Sequence, residues 1–199
     1  MLHEQLIAFK LILASNSIRR QNLMKDAGFI FEVKIPSDVS EDYPVGMNPA
    51  LIPTFLAHKK SLSFDGLLKK NEIVITADTI VILDDSILGK PKNYDEAFEM
   101  LNALSGCKHE VITGVGFKSK EKEHLFSASS KVWFRDLTEQ EIIYYIKEFK
   151  PYDKAGAYGI QEWIGYIGIE RIEGSFFNVM GLPIQMLYVE LGKFINDLS

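Results

Sequence analysis

The sequence predicts an α/β or α+β protein built on a mixed β-sheet flanked by helices. Three observations carry this: apolar runs of strand length, longer stretches whose apolar residues recur at helical spacing, and turn residues that punctuate both. The 199 residues favour one compact domain over the whole chain, 1–199, or one domain with two lobes around a central cleft.

Taken in order, Leu11–Ala14 reads as a buried strand. Ser15-Asn16-Ser17 then opens a helix with Leu23, Met24 and Ala27 on its apolar side, stopping at Gly28. Phe29 to Ile35 alternates as a second strand, ended by Pro36, and residues 37–49 are polar and punctuated by Pro44, Gly46 and Pro49, as a loop would be. A helix over about 50–64 carries Leu51, Phe55 and Leu62. Glu72–Ala77 and Thr79–Leu83 are strand-like, with Asp84-Asp85 as a hairpin turn.

Asn93 and Glu96 form a capping box for a helix bearing Ala97, Met100, Leu101 and Leu104. Two β-rich stretches follow, His109–Lys118 and Leu125–Phe134. Thr138 and Glu141 cap a helix with Ile142, Ile143, Ile146 and Phe149. The last third reads as a strand over Tyr166–Ile172, a turn at 174–183 and a helix reaching about Asn196.

Composition excludes several classes. No apolar run approaches the roughly 18–20 residues that cross a bilayer, and the N-terminus shows no signal-peptide pattern. Cys107 is the single cysteine, so the chain cannot form an internal disulfide and a reducing cytoplasm is its expected home. The net charge of −5, without a long basic run, argues against a nucleic-acid polymer as partner and for a small anionic ligand met by a local cluster of cations. There is no Walker A loop and no G-x-G-x-x-G, the four histidines lack zinc spacing, and Cys107 has no identifiable base.

Four places could do chemistry. Ser15-Asn-Ser-Ile-Arg19-Arg20 joins a helix start, a natural anion site, to two guanidinium groups that fit phosphate oxygens. Asp78, in Thr76-Ala-Asp78-Thr79, sits at the expected end of an apolar strand, placed to accept a proton from water or to coordinate a divalent metal. Lys90 stands in the rigid turn Leu88-Gly-Lys90-Pro91. Lys154-Ala-Gly-Ala-Tyr-Gly-Ile-Gln161 combines small residues that admit a close ligand with an amide that both donates and accepts. Each has a plain structural alternative, a solvated Arg pair, a turn-forming Asp, an exposed hairpin Lys or a tight turn; Glu41 and Lys60 are weaker still in isolation. Together they supply the parts of metal-assisted phosphate-anhydride hydrolysis.

In that order and spacing the segments resemble the Maf family of nucleotide pyrophosphatases from about Leu11 to Leu191. The motifs are Leu13-Ala-Ser15-Asn-Ser17-Ile-Arg19-Arg20, Ala77-Asp78-Thr79, Leu88-Gly-Lys90-Pro91 with Leu104-Ser-Gly106, His109-Glu-Val-Ile-Thr113-Gly-Val115, Asp153 to Gln161, and Ile172 to Pro183. The resemblance implies an elongated mixed sheet flanked by helices, forming two lobes with a cleft between them. It implies that Ser15, Arg19, Arg20, Lys60 and Lys90 surround a triphosphate. Asp78 would be the proton acceptor, with Glu41 helping to hold a divalent cation, magnesium or manganese. Arg19, Thr79 and Gln161 match positions linked to nucleotide choice.

The Gly-Ala-Tyr-Gly-Ile-Gln form is similar to the subgroup acting on dTTP and UTP rather than 7-methyl-GTP, with CTP or modified pyrimidine nucleotides as further candidates. A housecleaning role and a homodimer are implied in the same way. Two departures stand out: Ile18 replaces the usual proline, with Ser15 or Ser17 left to cap the helix, and Glu162-Trp163 follows Gln161 where many members have glycine, so that an indole and a charge would lie beside the base pocket. The competing expectation is a nucleotide-binding regulator of septum formation with little or no hydrolysis.

Overall fold

The computed structural model describes residues 2–35 and 39–198; Pro36, where the second strand was expected to end, and the first residues of the expected 37–49 loop lie outside the described residues. Helices α1 (Leu2–Leu6), α2 (Ile18–Asp26), α3 (Ile52–Leu62), α4 (Tyr94–Leu104), α5 (Glu139–Phe149), α6 (Trp163–Gly168), α7 (Phe176–Val179) and α8 (Ile184–Asn196) alternate with strands. The strands are β1 (Lys10–Leu13), β2 (Phe31–Val33), β3 (Glu72–Leu83), β4 (Ser86–Leu88), β5 (Lys108–Lys118), β6 (Glu123–Phe134) and β7 (Ile169–Glu173). They are ordered β2-β1-β3-β5-β6-β7, with β4 paired to β3. The sheet is mixed: β1 runs parallel to β2 and β3, whereas β3/β4 and β6/β7 are antiparallel. The expected fold class is borne out.

The chain divides into two compact units. The first comprises Met1–Asp78, Thr113–Ala128 and Gly181–Ser199, and the second Thr79–Ile112 and Ser129–Met180. In the first, β1 pairs in register with β3 from Lys10↔Glu72 to Leu13↔Ile75. Ile12, Ala14 and Val74 pack with Phe64 and Leu68. Helix α3 lies close on the strands because Gly114 has no side chain: a Cβ there would overlap the Pro53–Thr54 backbone. The Thr76 hydroxyl, fully buried in β3, donates to the Ala57 carbonyl of α3 at 2.8 Å, so one polar bond fixes the helix that carries Lys60.

In the second unit, α4 buries Ala97, Leu101 and Leu104, and α5 buries Ile142, Tyr145 and Ile146. These side chains share one core with Val81, Val111, Val132, Phe134, Tyr158 and Ile160. The Thr138–Glu141 capping box is complete, and Arg135 grips the same glutamate at 2.6 Å. Asn93 caps α4 through the Glu96 N–H, but the Glu96 carboxylate accepts from the Lys92 N–H, so only half of the expected box forms.

Three expectations are corrected, and one element is new. Residues 72–83 form one unbroken strand, so Asp78 lies within β3 and not at a strand end. Its polar side chains are tolerated there because they have partners. Tyr166–Gly168 belongs to α6, and the strand begins only at Ile169. Residues 174–183 contain the short helix α7, with the Ser175 hydroxyl accepting from the Asn178 N–H. The first residues form α1, which the sequence did not announce and which the Gln5–Asn196 bond at 2.8 Å ties to α8.

Candidate active site

In the first unit the site begins where β1 runs into α2. Ser17 caps the helix: its hydroxyl accepts from the Arg20 N–H at 3.5 Å, so the helix starts properly without proline at position 18. The Ser15 hydroxyl accepts from the Ser17 N–H at 3.2 Å and from Arg20 Nη1 at 3.4 Å. Arg20 also donates from Nε to the Gly181 carbonyl and from Nη1 to the Ala77 carbonyl, both at 2.8 Å. The guanidinium therefore holds the backbone one residue before Asp78. Burial pulls its pKa below the usual arginine value, while Asp78 and Glu41 act in the opposite sense and Arg19 adds to the lowering. Those effects place Arg19, Glu41 and Asp78 within electrostatic reach of Arg20.

Lys60, near the C-terminal end of α3, joins the acids. Its ammonium lies 2.5 Å from Asp78 Oδ1 and 3.0 Å from Glu41 Oε1. Asp78 is buried at 8% exposure, whereas the Glu41 side chain is about half exposed. The neighbouring Lys59 instead donates to the Asp42 carbonyl at 3.1 Å. One lysine thus bridges two carboxylates, each of which has oxygen lone pairs beyond those it uses.

In the second unit, Thr79 follows Asp78 along β3 and is half-buried. Lys90 is exposed in the turn after β4. That turn is tied to the glycine-rich segment, because the Gly156 N–H donates to the Gly89 carbonyl at 3.0 Å. The Tyr158 hydroxyl meets His109 Nε2 at 2.7 Å, which anchors the middle of the segment in the core. Burial depresses the His109 pKa to about 4, so the ring is neutral at pH 7. Gln161 closes the segment, and its Oε1 is buried without a hydrogen-bond partner among the described residues. A buried acceptor of this kind is costly unless something donates to it.

The two residues after Gln161 find partners within the second unit. The Trp163 ring packs edge-on against Tyr144 at 4.8 Å and joins the core of the second unit. The Glu162 carboxylate turns to Lys154 and to the Tyr145 hydroxyl. Tyr145 was not singled out from the sequence, because at helical spacing a tyrosine reads as one more core residue. The other histidines are occupied structurally, His58 with Glu123, His124 with Glu190, and His3 against Phe29 and Tyr188.

Among the described residues no group of three or more His, Cys, Asp or Glu side chains could hold a metal ion alone. The pair Glu41 and Asp78 fits a hard divalent cation that takes one or two carboxylates and completes its shell with water and substrate phosphate.

Within the first unit, a Ser-Arg-Arg corner at a helix start and a lysine between two acids form the kind of polar cluster that a phosphate-handling protein uses. The chain belongs to the Maf family: the family model described as Maf-like protein matches residues 10–194. It is 51% identical over 191 residues to a dTTP/UTP pyrophosphatase of Parabacteroides distasonis, covering 96% of this chain and 99% of that protein. It is 48% identical over 193 residues to a dTTP/UTP pyrophosphatase of Porphyromonas gingivalis, covering 96% and 97% of the two chains. A protein of the same name from Flavobacterium johnsoniae is 49% identical over 188 residues, 94% of this chain and 96% of the relative.

Proposed function

We propose that the chain, working as a single domain over residues 1–199, is a nucleoside triphosphate pyrophosphatase that hydrolyses dTTP and UTP to the monophosphate and pyrophosphate. The observation that carries this is Asp78: a buried carboxylate within a strand, gripped by Lys60 and lying next to the carbonyl that Arg20 holds. Packing does not call for an acid there, but water activation does. The relatives named dTTP/UTP pyrophosphatase support the same activity and substrates.

A triphosphate is polyanionic and repels an incoming hydroxide-like nucleophile. Ser15, Arg19, Arg20, Lys60 and Lys90 bind its oxygens and offset the charge that develops on the departing pyrophosphate. Asp78 accepts the proton of the attacking water. Lys60 holds Asp78 in place and offsets its charge until substrate arrives. A divalent cation, magnesium or manganese, held by Glu41 and Asp78 together with phosphate oxygens, would supply further charge neutralisation and a more acidic water.

Arg19, Thr79 and Gln161 choose the nucleotide. The unpartnered Gln161 oxygen suits the N3–H of thymine or uracil; cytosine has an unprotonated N3 there, and a site made for a hydrogen bond rejects a base that lacks the donor. No helix among the described residues is long and apolar enough to cross a membrane. We place the enzyme in a reducing cytoplasm, on the strength of its single cysteine, and in a housecleaning role and as a homodimer, as the resemblance implies.

Product analysis tests the reaction type. Purified protein incubated with UTP and magnesium should yield UMP and pyrophosphate in equal amounts on ion-exchange chromatography. UDP with inorganic phosphate, or unchanged UTP from folded protein, contradicts the assignment.

A further inference from the structure

The segment that ends in Gln161 carries glycines at 156 and 159, and such a chain does not hold an amide in place by itself. Around it lies a polar device that the reaction does not require. The Gly159 N–H donates to the Tyr145 hydroxyl at 3.0 Å, and that hydroxyl donates in turn to Glu162 Oε2. Lys154 Nζ lies 3.1 Å from Glu162 Oε1 and 2.7 Å from Asp153 Oδ1. The Glu162 N–H closes the loop on the Gly159 carbonyl at 3.0 Å.

These groups are shielded from water: Tyr145 is 0% exposed, and the side chains of Lys154 and Glu162 are 8% and 19% exposed. Burial first, then Glu162, raises the Tyr145 pKa above that of an ordinary phenol, so the hydroxyl keeps its proton and donates to the carboxylate.

The carboxylate and the Gln161 amide also meet at one point. A Cβ added to Gly159 would lie 2.8 Å from Glu162 Cδ and 3.1 Å from Gln161 Nε2. Both side chains therefore crowd the space that the bare Gly159 leaves open. If the carboxylate moves, the wall that sets the Gln161 side chain moves with it.

We propose that Glu162, clamped between the Tyr145 hydroxyl and the Lys154 ammonium, is the positioning residue that fixes Gln161 and so sets the preference for uracil and thymine. This rests on the proposed function. It replaces the expectation that Glu162 would present a charge to the base: its carboxylate is taken up by Lys154 and Tyr145, and it acts through the neighbouring amide. Gln161 contacts the base, and Tyr145, Lys154 and Glu162 act on it through the backbone and the space beside Gly159.

The test is steady-state hydrolysis of UTP and CTP by the wild type, Tyr145→Phe, Glu162→Gln and the double variant, with thermal unfolding of each. Each substitution keeps the shape of the side chain, and Glu162→Gln retains an acceptor for the Tyr145 hydroxyl. Each single variant should lower kcat/KM for UTP roughly tenfold through KM, with kcat at saturation within about twofold of wild type, and should narrow the UTP:CTP ratio by a similar factor. The double variant should be little worse than either single one, because both act through one bonded pair. Variants that melt earlier yet keep the wild-type UTP:CTP ratio would reduce the network to a structural role and overturn the proposal. An active wild type that already shows no preference for UTP over CTP overturns it as well. A folded wild type that hydrolyses no nucleotide removes the proposed function, and this inference with it.

Discussion

Replacing Arg20 isolates the contribution of one guanidinium to the frame of the site. In the wild type it gives two bonds of 2.8 Å to the carbonyls of Gly181 and Ala77, and a longer one to the Ser15 hydroxyl. A hydrogen bond from a charged donor contributes about 1.5–3 kcal/mol net. Two of them, discounted for the partial exposure of the side chain, give about 2–4 kcal/mol lost in Arg20→Ala. At about 2–4 °C per kcal/mol for a chain of this size, the melting temperature should fall by roughly 4–16 °C. Arg20→Lys keeps the charge but offers an ammonium in place of a fork, and it cannot match two carbonyls held in different directions. It should recover less than half of the lost stability. Scanning calorimetry gives the melting temperatures, and UTP turnover at 20 °C gives the functional cost, because the Ala77 carbonyl adjoins Asp78. Arg20→Lys melting within about a degree of the wild type would refute the anchoring role.

Three further outcomes follow from the same geometry. Gly114→Ala should destabilise by about 1–3 kcal/mol and impair catalysis, since the new Cβ pushes α3, and Lys60 with it, away from β3; an unchanged denaturant midpoint contradicts this. His109 is neutral in the fold with a pKa of about 4, whereas unfolding restores the ordinary imidazole value of 6.5. Below pH 6.5 the unfolded chain therefore binds a proton that the native state refuses, and stability falls with pH down to about 4, by about 3 kcal/mol in all. His109→Gln should flatten that part of a stability-versus-pH curve measured by urea unfolding, and an identical slope would show that the ring is not responsible. Lys60→Met should cut kcat/KM for UTP by about a hundredfold or more in a protein that still folds, because both acids lose their shared counter-charge; steady-state kinetics near the wild-type value would exclude that role.

The features legible in the sequence are those with local causes. Ser17 and Thr138 announce helix starts because a cap needs only its own next three residues. The amphipathic faces of α4 and α5 repeat within a few turns. Asp78 was legible as a chemical group but not in its place within β3. The polar run Thr76-Ala-Asp-Thr79 breaks the apolar pattern, and only the partners Ala57 and Lys60, from another element, let the strand continue. Trp163–Gly168 has the β-branched and aromatic content of a strand, and its helical path comes from packing against the second unit's core. Helix α1 is too short to stand alone, and its tie to Asn196 lies 191 residues away. Tyr145 shows the limit most clearly, since the groups that give its hydroxyl a task are 14 and 17 residues further on.

Pyrophosphate release by purified protein with magnesium or manganese, compared across dTTP, UTP, CTP, GTP and 7-methyl-GTP with Asp78→Asn as control, tests the central claim most directly. Turnover should be strongest on dTTP and UTP and should fall by about 10² to 10⁴ in the variant, which keeps its fold. Turnover confined to 7-methyl-GTP would overturn the assignment of Gln161, and near-normal turnover by Asp78→Asn would remove Asp78 as the proton acceptor.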